Sequence, residues 1–300
     1  MNVALVFVKP HAVNDKVLSL TRSHLEGKGI KILKQGELTA DVIKAKGIID
    51  DHYAALAANA VKLHPRELLV SADRQADFEK EFGKSWTQAC SDGSVMNLAQ
   101  YQEKNPSLDV TTIESRWRAG KTFKLAPGNY VSLISDDGAI VVNGFYGSMR
   151  EKFTAPGAQV NWMQVEFDEA SLSWKAFRNE VIGATDPNAA AGGSLRKRVM
   201  EDWQSLGLAF QPNTSDNSIH ASAGPLEGLR EREIWMQVSL EEDPFGKQLL
   251  SKGVKLETIR RLCGNEVVSL GGSSGPAFDV FEEMDSSKAI EHVLELQKSW

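Results

Sequence analysis

The stretch Asn2-Val3-Ala4-Leu5-Val6-Phe7-Val8 is an almost unbroken apolar run at the start of the chain. Its β-branched and aromatic residues favour a strand, and the lack of polar alternation predicts a strand that is buried on both faces. Pro10 cannot donate a ladder hydrogen bond, so the strand ends before it. The sequence therefore predicts a central strand with Lys9 at its end.

Around this strand, the chain alternates between helical and extended patterns. Apolar residues at helical spacing predict helices over 15–29 and 41–63, with a strand over 30–33 between them. A second set follows with a strand over 160–167 and helices over 171–183, 195–206 and 224–236. A final helix is expected over 287–298. The two strand–helix–strand halves indicate a mixed α and β protein.

Residues 65–158 have a different pattern from the two halves. Two β-rich runs, 130–134 and 139–142, flank the turn Ser135-Asp136-Asp137-Gly138 and predict a hairpin. We therefore expect an inserted β-containing module here. The predicted division is a discontinuous core of 1–64 and 159–236, an insertion of 65–158, and a C-terminal extension of 237–300.

Composition excludes several classes of protein. The chain has 300 residues, of which 42% are hydrophobic and 25% charged, as is typical of a globular protein. Its net charge of −6 argues against nucleic acid as a partner. The first apolar run is too short to span a membrane, and the distant Cys90 and Cys263 predict a reducing compartment, hence the cytoplasm.

One histidine lies in a setting that favours chemistry. His220 stands in Asn217-Ser218-Ile219-His220-Ala221-Ser222, among small and polar residues just before a predicted helix. Phosphoryl transfer needs a positioned nucleophile and cations on the phosphate oxygens. Lys9, Arg178 and Arg196 all stand at element ends or in loops, where such cations are useful.

Several further motifs occur in order along the chain. The motifs are Val6-Phe7-Val8-Lys9-Pro10-His11-Ala12-Val13, His52-Tyr53, Arg178-Asn179-Glu180-Val181-Ile182-Gly183-Ala184-Thr185-Asp186-Pro187, Gly192-Gly193-Ser194-Leu195-Arg196, Asn217-Ser218-Ile219-His220-Ala221-Ser222 and Glu231-Arg232-Glu233-Ile234. This ordered set resembles nucleoside diphosphate kinases, and the resemblance extends over residues 1–64 and 159–236, near half of the chain.

The resemblance implies a kinase that moves the terminal phosphate of a nucleoside triphosphate to a nucleoside diphosphate through phospho-His220. It implies that Glu233 orients the imidazole, that Tyr53 lies beside it, and that Ser222 supports it. It also implies that Asn217 contacts the sugar and that four residues bind phosphates, namely Lys9, Arg178, Thr185 and Arg196. Mg²⁺ would arrive on the nucleotide phosphates.

The resemblance also implies the architecture. It predicts an α+β fold with a ferredoxin-like four-stranded antiparallel sheet and helices on one face, together with the inserted β-containing module. Because family members assemble as hexamers or tetramers, we expect a homo-oligomer.

Two other functions stay open at this point. The chain could be an inactive or weakly active nucleotide-binding scaffold that acts through its insertion and tail. Alternatively, Gly271-Gly272-Ser273-Ser274-Gly275 fits the Gly-x-Ser-x-Gly pattern of a serine hydrolase, with Asp279 or Asp285 and His292 as partners.

Overall fold

The computed structural model describes residues 1–126 and 128–300, which form two compact units. The first unit combines Met1–Val42 with Gly157–Trp300, and the second is Ile43–Pro156. The first unit carries the His220 segment.

The longest strands are β1, β2 and β7, which all belong to the first unit's sheet. In chain order they are β1 (Asn2–Val8), β2 (Lys31–Thr39), β3 (Val95–Asn97), β4 (Lys121–Ala126), β5 (Asn129–Leu133), β6 (Ile140–Val142), β7 (Gln159–Phe167), β8 (Ile219–Ala221), β9 (Val267–Leu270) and β10 (Ser273–Pro276).

The α-helices lie between these strands and after the last of them, in several places two or more in succession. They are α1 (Asp15–Gly27), α2 (Ala40–Ala45), α3 (Ile48–His52), α4 (Ala54–Ala57), α5 (Ala72–Phe82), α6 (Trp86–Ser91), α7 (Leu98–Lys104), α8 (Val110–Ala119), α9 (Tyr146–Thr154), α10 (Trp174–Ala176), α11 (Leu195–Glu201), α12 (Pro225–Met236), α13 (Pro244–Ser251), α14 (Leu256–Cys263), α15 (Ala277–Val280) and α16 (Ser286–Ser299). Short 3₁₀ segments span Pro10–Ala12 and Pro65–Glu67, and π-helical turns span Ala58–Lys62 and Phe177–Ile182.

The first unit is built on a four-stranded antiparallel sheet. Its order is β2-β7-β1-β8, so β1 lies between β7 and β8. Numbered within the sheet, this order is 2-3-1-4, which is the predicted ferredoxin-like order. The register of β1 with β8 places Phe7 opposite His220. The opening strand therefore directly supports the strand that carries the histidine.

Both faces of the sheet are covered, which corrects the prediction of helices on one face. Ala4, Val6 and Val8 of β1 belong to a core shared with α1 and α11. Phe7 points the other way and meets Trp235 of α12, with ring centroids 4.6 Å apart. The reason is the sequence of β1, because a strand that does not alternate apolar and polar residues has no polar face to expose to solvent.

The region after α12 belongs to the first unit rather than standing apart as a C-terminal extension. Leu226 and Leu229 of α12 share one core with apolar residues of α13, α14 and α16. A fully buried ion pair adds to this packing, because Arg232 Nε and Asp243 Oδ2 are 2.6 Å apart. Helix α12 is therefore held between β1 and the C-terminal helices.

The second unit has its own sheet, of order β3-β6-β5-β4, in which β5 and β6 form the predicted hairpin. It also includes residues 43–64, which the sequence assigned to the core around His220. Ala57 and Ala60 pack with Tyr101 and Trp117 in this unit. The buried surfaces of these alanine-rich turns are small, so the sequence does not specify which element they pack against.

The described residues include no helix that is long and apolar enough to cross a membrane.

Candidate functional site

His220 lies in the middle of β8, an edge strand of the first unit's sheet. Its ring stacks on Phe7, with centroids 4.4 Å apart and planes inclined by 18°. The side chain is 16% exposed, so it is supported on one side and still reachable by a ligand. Because β8 is three residues long, the strand presents His220 next to loops on both sides.

A carboxylate fixes the orientation of His220. The imidazole Nε2 lies 2.6 Å from Glu231 Oε1. Because an ionised carboxylate only accepts hydrogen bonds, Nε2 carries the proton and donates it, which leaves the lone pair of the neutral ring on Nδ1. The geometry thus selects one tautomer and gives the ring one nucleophilic nitrogen.

The same carboxylate is held by Ser222. Ser222 Oγ donates to Glu231 Oε2 at 2.6 Å and accepts from the Leu5 amide at 2.9 Å. Ser222 is fully buried, and Glu231 is nearly so. The result is a continuous chain from the backbone of β1 through Ser222 and Glu231 to His220. Ser222 therefore holds Glu231 in place, and its predicted support of a catalytic histidine stays a prediction.

Glu231, rather than the predicted Glu233, orients the histidine. Glu233 instead forms an ion pair with Arg230. The reason is helical phase, since residues two apart on a helix differ by about 200° in direction. Trp235 contacts Phe7, and Glu231 lies one turn before it on the same face. The spacing of four between Glu231 and Trp235 was the signal in the sequence that distinguishes the two glutamates.

The loop before His220 brings Asn217, Thr185 and Lys9 together. Asn217 Nδ2 donates to the Thr185 carbonyl at 3.0 Å, and the Lys9 amide donates to the Ser218 carbonyl at 2.8 Å. Asn217 is 3% exposed, and its Oδ1 has no hydrogen-bond partner among the residues that the structure describes. A buried side-chain oxygen without a partner is uncommon in folded proteins.

The turn into β8 is made by Ser218, whose φ is +65°. Ser218 is fully buried, so its unfavourable left-handed backbone is held by the surrounding structure. Ala221, which follows His220, lies in extended backbone paired with Val6. A glycine is therefore not needed after His220 in this chain.

Arg196 links two parts of the site. Its Nε donates to the Ile219 carbonyl at 2.9 Å and its Nη1 to the Gly183 carbonyl at 2.7 Å. Ile219 immediately precedes His220, so the guanidinium lies beside the His220 segment. Arg196 thus joins the loop of Thr185 to strand β8.

Arg178, on the π-helical turn, has acidic partners. Its Nη1 forms ion pairs with Glu282 and with Glu283, the latter at 3.3 Å. Asn179 Nδ2 also donates to Glu283, at 3.0 Å. The predicted phosphate ligand Arg178 is therefore held by carboxylates of the C-terminal region.

Tyr53 belongs to the second unit. It packs against the core of Tyr101 and Trp117, and its ring contacts that of His52 edge-on at 4.5 Å. Its predicted place beside the nucleophile stays a prediction.

A second glutamate near His220 has an unusual environment. Burial, and then the negative charge of Glu231, raise the pKa of Glu227 to about 8, while Arg178 opposes the shift. Glu227 Oε2 accepts from the Ala223 amide at 3.1 Å. At neutral pH, Glu227 is therefore largely protonated.

The raised pKa of Glu227 predicts a pH-dependent stability. The folded protein binds a proton at Glu227 that the unfolded chain releases above its ordinary pKa of 4.5. The stabilising contribution is therefore present at low pH and is lost as pH rises towards 8. As pH rises from 5 to 8.5, we expect the free energy of unfolding of Glu227→Gln to increase by about 1–3 kcal/mol relative to that of wild type, measured by urea unfolding. An unchanged difference between the two pH values would contradict this assignment.

The Gly-x-Ser-x-Gly pattern is not a hydrolase nucleophile turn. Ser273 begins β10 and is exposed on the hairpin with β9, whereas the hydrolase motif requires a strand followed directly by a helix. Asp285 Oδ1, a proposed partner, accepts from the Trp174 amide at 2.7 Å. This segment is a glycine-rich hairpin turn.

Fold and site together define a mixed α/β protein whose antiparallel sheet carries a histidine oriented by a buried carboxylate. Solved structures similar to this chain include the apo nucleoside diphosphate kinase of Encephalitozoon cuniculi in its cubic form, at 14% identity and a TM-score of 0.40, covering 81% of this chain and 93% of that one. A nucleoside diphosphate kinase family protein from Babesia bovis matches at 15% identity and a TM-score of 0.38, covering 83% of this chain and 99% of that one. No protein-family model and no curated protein matches the chain. We therefore infer what this chain does from its own residues.

Proposed function

We propose that this protein is a nucleoside diphosphate kinase-like phosphotransferase that works through phospho-His220. The observation that carries the proposal is the chain of hydrogen bonds from Ser222 through Glu231 to His220. It gives a neutral imidazole a fixed direction and a single nucleophilic nitrogen. A histidine that served only packing would need neither the buried carboxylate nor the hydroxyl behind it.

In the first half-reaction, the Nδ1 lone pair of His220 attacks the terminal phosphorus of a nucleoside triphosphate. The bond from that phosphorus to the bridging oxygen breaks, and the nucleoside diphosphate leaves with the electron pair. The phosphorylated ring is then cationic, with its proton still on Nε2, and Glu231 stabilises it by charge and hydrogen bond. No additional base is needed for this step.

In the second half-reaction, a terminal phosphate oxygen of a nucleoside diphosphate attacks the same phosphorus. The phosphorus–nitrogen bond breaks, and the electron pair returns to Nδ1. Because both half-reactions use one nucleophile, donor and acceptor bind in turn at one site. The enzyme thus passes a phosphate between nucleotides through a ping-pong sequence.

The remaining residues hold the substrate in this proposal. Lys9, Arg178 and Arg196 supply positive charge for phosphate oxygens, as phosphoryl transfer requires. Asn217 contacts a sugar hydroxyl, and Thr185, whose carbonyl accepts from Asn217 Nδ2, lies next to it. Mg²⁺ enters as part of the nucleotide substrate.

The test is phosphorylation of His220. Incubation with γ-labelled ATP and Mg²⁺ should label the wild-type protein with an acid-labile, base-stable phosphate that an added nucleoside diphosphate removes. His220→Ala should lose this label completely, whereas His24→Ala, which changes another histidine of the first unit, should retain it. Equal labelling of His220→Ala would disprove the mechanism, and unlabelled wild type that still binds nucleotide would indicate a scaffold.

A further inference from the structure

Two carboxylates occupy the guanidinium that the proposed function assigns to phosphate. Arg178 pairs with Glu282 and with Glu283, which follow α15 in the C-terminal region. The three side chains are 27%, 47% and 28% exposed, in the order Arg178, Glu282, Glu283. The pairs are therefore at the surface of the first unit, where a soluble anion can reach the same guanidinium.

The backbone that carries these carboxylates is firmly attached near His220. The Glu283 amide donates to the Ala223 carbonyl at 2.9 Å, three residues after the histidine. Gly224 packs so closely that a Cβ there would lie 2.7 Å from the Phe281 carbonyl oxygen. The segment is therefore pressed against the turn that leads from β8 into α12.

A second attachment lies just beyond the carboxylates. Asp285 Oδ1 accepts from the Trp174 amide at 2.7 Å and from Asn2 Nδ2, also at 2.7 Å. Asn2 in turn accepts from the Ser286 amide at 2.8 Å. With its backbone fixed on both sides, the segment can release Arg178 by side-chain rotation alone.

Glu283 adopts a backbone conformation that a side chain rarely takes. Its φ is +58°, in the left-handed region that disfavours residues other than glycine. Such strain persists only where the surrounding contacts determine it. Here the contacts that accompany it are those to Ala223, Asn179 and Arg178.

We propose that Glu282 and Glu283 form an internal competitor for substrate phosphate, which restrains nucleotide binding at Arg178. Both glutamates contact Arg178 through Nη1. Carboxylate and phosphate oxygens make the same charge-assisted hydrogen bonds to a guanidinium, so a phosphate oxygen that uses Nη1 must displace the carboxylates. The competitor is part of the chain, so it is always present, and a nucleotide must displace it. The inference rests on the proposed function because it assigns a regulator to that same site.

The charge of Arg178 also acts on the acidic groups close to His220. Glu227 interacts with Glu231, with Arg178 and with Glu282, and Glu231 is bonded to His220. Neutralising the pair of acidic residues would therefore raise the positive potential near the nucleophile as well as release Arg178. Both effects favour an incoming polyphosphate.

The experiment compares Glu282→Gln/Glu283→Gln with Glu291→Gln/Glu295→Gln in the full chain. The control removes the same charge from the exposed face of α16, where the two glutamates are 70% and 69% exposed. The probe is the Mg²⁺ complex of the non-hydrolysable β,γ-imido analogue of ATP, and its affinity is measured by calorimetry. We expect Glu282→Gln/Glu283→Gln, called the clamp variant below, to bind the analogue about threefold to tenfold more tightly than wild type does. The affinity of the control should stay within about twofold of wild type.

Arg178→Ala completes the design. In its background, the Glu282→Gln/Glu283→Gln change should lose most of its effect, because the competition requires the guanidinium. Equal affinity of wild type and the clamp variant, or no binding by either, would overturn the inference. Melting temperatures identify any variant that fails to fold. If the clamp variant fails to fold, Glu283→Gln alone is compared with wild type.

Labelling with γ-labelled ATP separates this inference from the proposed function. Tighter binding without phosphohistidine in any variant would support the competitor and reject the kinase mechanism. Labelling of wild type with unchanged affinity in the clamp variant would support the kinase mechanism and reject the competitor.

Discussion

Glu231→Ala should lower the rate of His220 phosphorylation on the order of 100-fold. The substitution removes the acceptor of the imidazole Nε2 proton, which is 2.6 Å away in the folded protein. Without it, the ring can turn and exchange tautomers, and the cationic phosphohistidine loses its counter-charge. Single-turnover labelling with γ-labelled ATP measures the rate directly.

The matched control for this experiment is Glu233→Ala. It changes the same residue type on the same helix, but Glu233 bonds to Arg230 rather than to His220. We expect its labelling rate to stay within about twofold of wild type, as for a partly exposed charge outside the site. A larger loss in Glu233→Ala than in Glu231→Ala would reverse the assignment of the two glutamates.

Arg232→Leu should reduce the free energy of unfolding by about 3–5 kcal/mol. Arg232 and Asp243 are fully buried, and the guanidinium also donates to the Val3 carbonyl at 2.7 Å. Removing the arginine leaves a buried carboxylate without its counter-charge and a carbonyl of β1 without its donor. Urea unfolding followed by tryptophan fluorescence measures the loss.

Arg230→Leu is the comparison for this second prediction. Arg230 is 35% exposed and pairs with Glu233 at the surface, so its loss should cost about 1 kcal/mol or less. A stability of Arg232→Leu as high as that of Arg230→Leu would show that the buried pair does not hold α12 to the C-terminal helices. The difference between the two variants therefore measures the buried pair rather than the loss of an arginine.

Much of the first unit could be predicted because its signals are local. The apolar run of β1, the helix of α12 and the final helix α16 follow from side-chain periodicity and from chain breakers such as Pro10. The ferredoxin-like order came from the resemblance of ordered motifs, and the observed pairing of β1 with β7 and β8 confirms it. The predicted hairpin of β5 and β6 was marked by its turn residues.

The predictions that were wrong all concern which helices or side chains pack against each other in the folded chain. Residues 43–64 are short alanine-rich helices, and their small buried faces do not specify a partner in advance. The C-terminal helices share a core with α12, although no spacing within the sequence links Leu226 to residues near 290. The choice between Glu231 and Glu233 depended on helical phase relative to Trp235.

By itself, the sequence determined that His220 lies in a short polar segment before a helix and that β1 is buried on both faces. Those properties follow from residue type and spacing within a few positions of the chain. Only the tertiary structure decided that Glu231 orients the imidazole and that Glu282 and Glu283 hold Arg178. The physical reason is that hydrogen bonds and ion pairs act over a few ångströms in space, and Arg178 is 104 residues from Glu282 along the chain.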